Sequence, residues 1–565
     1  MDSMVIIFFV LFSAFVGIVT YMKTRGGELD TSDGYFLGGR NLTSKVIAGS
    51  LLLTNLSAVS FVGMSAQVYE GNMSVMGWEV ISGVVLVLVA TLLLPRYLRQ
   101  GITTIPDFIE ARFDKGTKQF VTLLFLVSYV VNMLPITLYS GAVAMSQIFS
   151  IEEIFGITYA QGIWVMVWVI GIVGAIYAIF GGLKAVAVSD SINGVALVVG
   201  GLLVPLFSIL YIGSGNFMEG LSTFVAATPE KFNAIGSSTD DLPFTTLFTG
   251  LLLVNLYYWG TDQSIIQRGL GAKSLEEGQK GIIYAGFLKV GTPLLVIIPG
   301  IMGYQILGGD ISNADMIYPE LVSTVLPGPL VGFFAAAMMG AILSTFNSVL
   351  NSASTLFALN VYKPISSKDL PDSELVKKGK IFGTIVAVIS MIGAPFIMYA
   401  PQGLFDYLQT INGFFNVPIF TIVFMGYLTK RVPPFAAKIG ITFFVTTYGI
   451  TQLFWDTGLH FLHISAILFV ITSLGMYIIG KIKPMEEPFI IEDKELVDIK
   501  PWKNLYRGGG FVIFVMISMY VVFSPLGLAK EGGMNSVTLI SIILVGVVCA
   551  IGPLLLEKFN LERTK

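Results

Sequence analysis

The chain has 565 residues, 54% of them hydrophobic and only 12% charged, with 33 Lys and Arg against 36 Asp and Glu. A soluble chain carries about 25% charged residues, so lipid rather than water is expected to be its main solvent. The net charge of −3 gives no sign of a nucleic-acid partner, and the single cysteine, Cys549, excludes an intramolecular disulfide.

A helix crossing a bilayer needs about 20 mainly apolar residues. That rule predicts about fifteen spans, at 4–22, 46–70, 74–98, 118–149, 160–181, 188–213, 243–268, 278–305, 328–362, 378–398, 402–429, 435–457, 460–480, 508–528 and 534–556. The first run lacks a basic leader and a small-residue cleavage site, so it reads as a retained anchor rather than a signal peptide. Two long loops, 214–242 and 306–327, separate spans, and the stretch 481–507 is too short for a kinase or nucleotidase domain. Cys549 reads as a small buried apolar residue of the last span. His460 and His463 have no flanking carboxylates, so no zinc or haem site is expected.

Charge placement orients the spans. With the N-terminus outside, every second loop is cytoplasmic, and those loops collect nearly all the Lys and Arg, from Lys23 through Arg112, Lys184, Arg268 and Lys380 to Lys565. The outside loops hold only Lys231 and Lys530. This is the positive-inside pattern, with a cytoplasmic C-terminus in a multi-pass plasma-membrane protein.

An internal repeat is visible. Leu51-Leu52-Leu53-Thr54-Asn55-Leu56 recurs as Leu251-Leu252-Leu253-Val254-Asn255-Leu256, in spans running in opposite directions. Two inverted five-span units are expected, 46–213 and 243–432, separated by the external loop 214–242. Residues 1–45 supply the anchor helix and a cytoplasmic loop, and 433–565 accessory helices. Each unit is expected to open with an interrupted helix, one at Thr54, Asn55, Ser57 and Ser60, the other around Asn255, Tyr257, Tyr258, Trp259 and Gly260. An unwound turn at mid-membrane frees carbonyls for a cation.

Polar residues inside spans are costly and therefore informative. Glu79 has Ser82 one helical turn on, and Lys289 is its natural counter-charge. A carboxylate, an ammonium, an amide and hydroxyls beside aromatic rings suit a ligand whose hydroxyls both donate and accept. The ninth span carries Ala341, Ser344, Thr345, Asn347, Ser348 and Asn351. Its Ser344 and Thr345 hydroxyls suit a hard cation, which takes oxygen ligands. Asp190 either serves an ion path or caps a helix near water.

Several stretches are specific in combination: Gly34-Tyr35-Phe36-Leu37-Gly38-Gly39-Arg40, Thr54-Asn55-Leu56-Ser57, Thr104-Ile105-Pro106-Asp107-Phe108 and Gly181-Gly182-Leu183-Lys184-Ala185-Val186. Asn255-Leu256-Tyr257-Tyr258-Trp259-Gly260, Gln267-Arg268-Gly269-Leu270-Gly271-Ala272-Lys273-Ser274 and Leu350-Asn351-Ser352 complete the set. On these residues the chain resembles the sodium/solute symporter family, and within it the bacterial sodium/galactose and animal sodium/glucose cotransporters.

The resemblance implies an all-α, LeuT-like 5+5 inverted-repeat core within 14–15 transmembrane helices. It implies a sodium site from the carbonyls of Leu53, Leu56 and Ala341 and the hydroxyls of Ser344 and Thr345, with Asp190 near the ion's exit. The matching sugar-site residues are Asn55, Glu79, Ser82, Asn255, Lys289 and Gln409. Tyr258 would form the inner gate, and Trp78 and Phe405 part of the outer wall. Ser60 stands where sugar-binding relatives carry glutamine, and Trp78 where the galactose transporter has tyrosine. The implied activity is sodium-coupled symport of a monosaccharide by alternating access, without an organic cofactor or an obligatory protein partner. Sialic acid, an amino acid or an anion is the alternative cargo. A channel lacks its continuous polar stripe, and a membrane enzyme its clustered acids or histidines.

Overall fold

Lipid offers no hydrogen bonds, so an apolar run that enters it must satisfy its own backbone. The computed structural model accordingly places helices along the apolar runs. It describes residues 3–24, 38–309, 311, 313–366, 370–399, 404–491 and 493–563, without the side chains of 24, 179–184, 404, 406, 407 and 558–563. Arg25, the Gly34–Leu37 stretch, Lys368 and Lys565 fall outside the described residues, as do the side chains of Gly181 to Lys184.

The labels used below are α1 (Ser3–Lys23), α2 (Ser44–Asn55), α3 (Ser60–Glu70), α4 (Met73–Gln100), α5 (Lys115–Ile148), α6 (Tyr159–Ala178) and α7 (Ala185–Ile212). They continue with α8 (Gly250–Gly260) and α9 (Gln263–Leu270), then α10 (Leu275–Val290), α11 (Pro293–Leu307), α12 (Gly328–Ile365), α13 (Asp372–Tyr399) and α14 (Leu408–Leu428). The last four are α15 (Pro434–Leu453), α16 (Phe461–Ile482), α17 (Leu505–Val522) and α18 (Ser536–Glu557). Among the described residues the β-type pairings outside named strands are isolated bridges, Leu42 with Ala272 and Ser274 with Asp498.

Among the described residues eleven helices are long and apolar enough to cross a membrane by length and composition, and the count reaches 13 if the bent pairs α2/α3 and α10/α11 are each one span, against about fifteen expected. The difference lies at 243–268, which is two short helices, α8 and α9, and at 435–457, where α15 is helical but not among the apolar spans. Cys549 is half-buried on α18 rather than buried, because α18 leaves most of its surface to lipid.

Two interruptions shape the centre of the molecule. Between α2 and α3 the axis bends by 57°. There the Ser57 amide donates to Asn55 and the Ser60 amide to Ser57. In an unbroken helix those amides would bond the carbonyls of Leu53 and Leu56. The break thus takes the helical partner from the two carbonyls expected to face a cation. Between α10 and α11 the bend is 41°, and its cause is Pro293, whose ring excludes the carbonyl four residues back. That carbonyl belongs to Lys289 and is recovered by the Thr292 amide at 3.1 Å and the Thr292 hydroxyl at 2.7 Å.

The second repeat breaks later than expected. The helix runs intact through Asn255 to Gly260 and stops at Thr261 and Asp262. Tyr257 then receives the amides of both Thr261 and Asp262, and the Asp262 carboxylate caps α9 at the Ser264 amide, 2.8 Å away. The aromatic run packs well inside a helix, whereas the Thr-Asp pair supplies the cap that starts a new one.

Candidate solute and sodium site

The α2–α3 break and the α8–α9 break both border one cavity of about 130 Å³. Its walls include Asn55 and Ser60 from the first break, Trp78, Glu79 and Ser82 from α4, Asn255 and Tyr258 from α8, and Phe405 and Gln409. Nine of the ten residues expected to contact solute therefore share one wall set. The tenth, Lys289, is bonded to two of the others: its ammonium donates to Glu79 and to Asn55 Oδ1. Glu79 and Lys289 are each 1% exposed. The carboxylate also accepts from the Thr292 hydroxyl, held in place by the Pro293 break.

Ser82 Oγ donates to Asn255 Oδ1 at 2.8 Å, and the Asn255 amide nitrogen donates to the Leu251 carbonyl at 3.2 Å. The two asparagines at matching positions of the sequence repeat thus face the same cavity, one held by Lys289 and the other by Ser82. Ser60 Oγ turns to the Asn55 carbonyl at 3.3 Å. Gln409 and Asn132 are linked through Asn412, at 3.5 and 3.0 Å.

Aromatic rings close the cavity. Trp78 meets Phe405 edge to face with centroids 5.4 Å apart and stacks on Phe461 at 6.4 Å. Gly63 allows this approach, because a Cβ there would lie 3.0 Å from Phe405 Cβ. Tyr258, half-buried on the opposite wall, meets Trp259 edge to face at 5.1 Å.

Beside the cavity, α12 crosses the first break. Thr345 Oγ1 donates to the carbonyls of Thr54, at 2.9 Å, and Ala341, at 3.2 Å. Ser344 Oγ lies 3.4 Å from Thr54 Oγ1. Leu53 and Leu56, whose carbonyls lose their helical donors at the break, flank Thr54 in the chain, so the oxygens of Leu53, Leu56, Ala341, Ser344 and Thr345 stay the candidate all-oxygen set. That donor chemistry suits a hard monovalent cation. Among the described residues no group of three His, Cys, Asp or Glu could hold a metal ion.

Asp190 does not cap a helix near water. It is 1% exposed on α7 and accepts from Ser50 Oγ at 2.8 Å, with the Arg268 guanidinium at 3.8 Å. Arg268, counted above among the cytoplasmic loop cations, is instead fully buried. Loop position and burial parted because α9 folds back into the protein.

Thr292, Asp262, Asn412 and Asn416 also belong to the site, though no motif in the chain singles them out. The signals short of a motif are Pro293 after Lys289, for Thr292, and the capping position before Ser264, for Asp262. Asp262 is buried, accepts from Tyr129 at 2.9 Å, Tyr257 at 3.1 Å and the Ser264 hydroxyl, and borders the cavity.

A polar, aromatic-walled cavity bordered by broken membrane helices, with oxygen-bearing side chains beside it, is an arrangement suited to a secondary transporter. The chain matches the Sodium:solute symporter family over residues 35–443 and belongs to that family. An Escherichia coli K12 protein described as an uncharacterized symporter, YidK, is 45% identical over 533 residues, 94% of this chain and 92% of its own. The sodium/glucose cotransporter of Vibrio parahaemolyticus is 32% identical over 502 residues, 84% of this chain and 90% of its own. The fold is that of a Na⁺-coupled sialic acid symporter solved in a substrate-bound outward-open state. The two share a TM-score of 0.71 and 22% identity, covering 85% of this chain and 97% of that one. The protein is thus an all-α, multi-pass carrier of LeuT-like architecture that couples a small polar solute to sodium.

Proposed function

We propose that the solute is a monosaccharide of the glucose, galactose or fucose type, carried inward with Na⁺ by alternating access. The observation that carries this reading is the neutralised polar cluster of Glu79, Lys289 and Asn55. Its one ammonium is already engaged by a carboxylate, so it offers acceptors and donors to hydroxyls without excess charge. The charged side chains bordering the cavity are Glu79 and Asp262. A carboxylate-bearing solute such as sialic acid would meet Asp262 there and no spare cation, a like-charge contact that low dielectric makes costly. Ser60 and Trp78 set which ring hydroxyls are met, since a site built on hydrogen bonds rejects analogues that leave its buried groups unpaired.

In the cycle, Na⁺ joins the carbonyls of Leu53, Leu56 and Ala341 with the hydroxyls of Ser344 and Thr345. It thereby fixes the first broken helix against α12 and holds the cavity ready. Solute enters past Trp78 and Phe405. Tyr258 gives way on the inner side, and Na⁺ leaves past Asp190. The two units 46–213 and 243–432 rock against each other, with the N-terminus outside and the C-terminus in the cytoplasm. One charge falling through 100 mV releases about 2.3 kcal/mol, and a tenfold Na⁺ gradient adds about 1.4 kcal/mol. At one ion per solute this supports accumulation of several hundredfold.

The test is uptake into proteoliposomes under an imposed Na⁺ or K⁺ gradient, with labelled hexoses, sialic acid and proline compared. Na⁺-dependent hexose uptake supports the reading. Na⁺-driven uptake of sialic acid or proline with no hexose competition refutes it.

A further inference from the structure

Arg268 has no part in holding solute or sodium as described above, yet it is among the most elaborately bonded side chains of the buried interior. Its Nε donates to Ser50 Oγ at 3.0 Å, and its Nη1 to the Ser264 carbonyl within its own helix. Its Nη2 donates to Thr54 Oγ1 at 2.9 Å and to Ser348 Oγ, and stands 3.8 Å from Asp190. Ser50 and Thr54 belong to α2, and Ser348 to α12. A single guanidinium therefore bridges the same two helices that the oxygen cage of Leu53, Leu56, Ala341, Ser344 and Thr345 would join through sodium. The bridges are one hydroxyl apart, because Thr54 Oγ1 is 3.4 Å from both Ser344 Oγ and Ser348 Oγ.

We infer that Arg268 is a tethered second cation. It latches the α2–α12 seam below the sodium site and stands in for sodium against Asp190 when the site is empty. Arg268 and Asp190 form a buried pair without net charge. A sodium ion moving down the seam toward Asp190 would add a second positive charge in a medium that screens poorly. Ion and guanidinium therefore compete for the Asp190 carboxylate and for adjoining hydroxyls of one seam, with Thr54 Oγ1 between the two sets. Sodium release past Asp190 requires the guanidinium to withdraw with α9. Its return leaves Asp190 paired, sparing the ion-free carrier an uncompensated buried carboxylate. The fork shape of arginine matters, since it reaches Ser50, Thr54, Ser348 and the Ser264 carbonyl at once, which a lysine point charge does not. This inference rests on the sodium-coupled reading above.

The chain's single cysteine makes a solute-independent test direct. In a Cys549→Ala background, Ser57→Cys places a reporter on the cavity wall. A small membrane-impermeant thiosulfonate is then applied from the side of the loop after α9. With Arg268 present the reporter is slow to react. Arg268→Gln is expected to raise the labelling rate at least tenfold, Ser348→Ala at least threefold, and Arg268→Lys to fall between wild type and Arg268→Gln. In parallel, the apparent Na⁺ affinity, read as a Na⁺-dependent thermal shift against choline, tightens at least fivefold in Arg268→Gln because its competitor is gone. Unchanged labelling in both Arg268→Gln and Ser348→Ala, or weakened Na⁺ affinity in Arg268→Gln, overturns the latch. If Arg268→Gln does not fold, Ser348→Ala and Arg268→Lys decide. A wild-type protein with no Na⁺-dependent shift instead refutes sodium coupling, an outcome separate from the accessibility result.

Discussion

Removing the Glu79 carboxylate strands Lys289 as a charge buried to 1% exposure, with Asn55 as its remaining side-chain partner. Breaking one half of a buried pair costs about 3–5 kcal/mol, whereas replacing both halves by neutral groups of similar size is often close to neutral. Glu79→Gln and Lys289→Gln should therefore each destabilise by that amount, while the double variant Glu79→Gln with Lys289→Gln loses less than their sum, a coupling of about 2–4 kcal/mol. Solute binding behaves differently. A hydrogen bond to a charged group is worth about 1.5–3 kcal/mol, and about 1.4 kcal/mol is tenfold. Even the well-folded double variant should then raise KM for hexose by roughly 10- to 150-fold. The assay pairs thermal unfolding in detergent with Na⁺-driven uptake in proteoliposomes. Additive stability losses would refute the buried pair. A double variant with KM within threefold of wild type would remove both side chains from the solute site.

Other expectations follow from the same geometry. Thr345→Val keeps shape but loses the hydroxyl on the Thr54 and Ala341 carbonyls. It should raise the Na⁺ concentration for half-maximal uptake at least tenfold, with Thr345→Ser within threefold of wild type. Gly63→Ala places a Cβ 3.0 Å from Phe405, so it should slow uptake several-fold while leaving the Na⁺-dependent thermal shift intact. Ser82→Ala leaves Asn255 Oδ1 without its 2.8 Å donor and should raise hexose KM about tenfold, by roughly 1–1.5 kcal/mol. Outside the spans, burial and then the nearby Glu70 push the Asp315 carboxyl up to about 6. The folded state then binds the proton more tightly than the unfolded one, so this group's stabilisation is full below about pH 4 and is lost as pH rises through 6. Asp315→Asn should accordingly raise stability at pH 8, by at most about 3 kcal/mol at about 1.4 kcal/mol per pKa unit, seen as a higher melting temperature there and not at pH 4. An equal effect at both pH values would contradict this account.

Much of the molecule was legible in the chain alone. Long apolar runs dictate helices wherever water is absent, and a lone Glu79 or Lys289 in such a run is conspicuous because hydrocarbon tolerates neither without a partner. Matching asparagines in the two repeat copies were readable for the same reason. Other features belonged to the tertiary structure. Whether a hydroxyl-rich segment unwinds depends on which amides find other acceptors, and that placed the second break at Thr261 and Asp262 rather than beside Asn255. Breaks after Asn55, at Pro293 and between α8 and α9 divide apolar runs in ways that hydropathy does not register. Arg268 shows the limit most clearly. A cation beside a loop looks solvated in one dimension, and only the folding of α9 between α2 and α12 makes it a buried bridge. Hydropathy reports how each residue partitions between water and lipid, but a third environment, the polar interior between helices, exists only once the helices have packed.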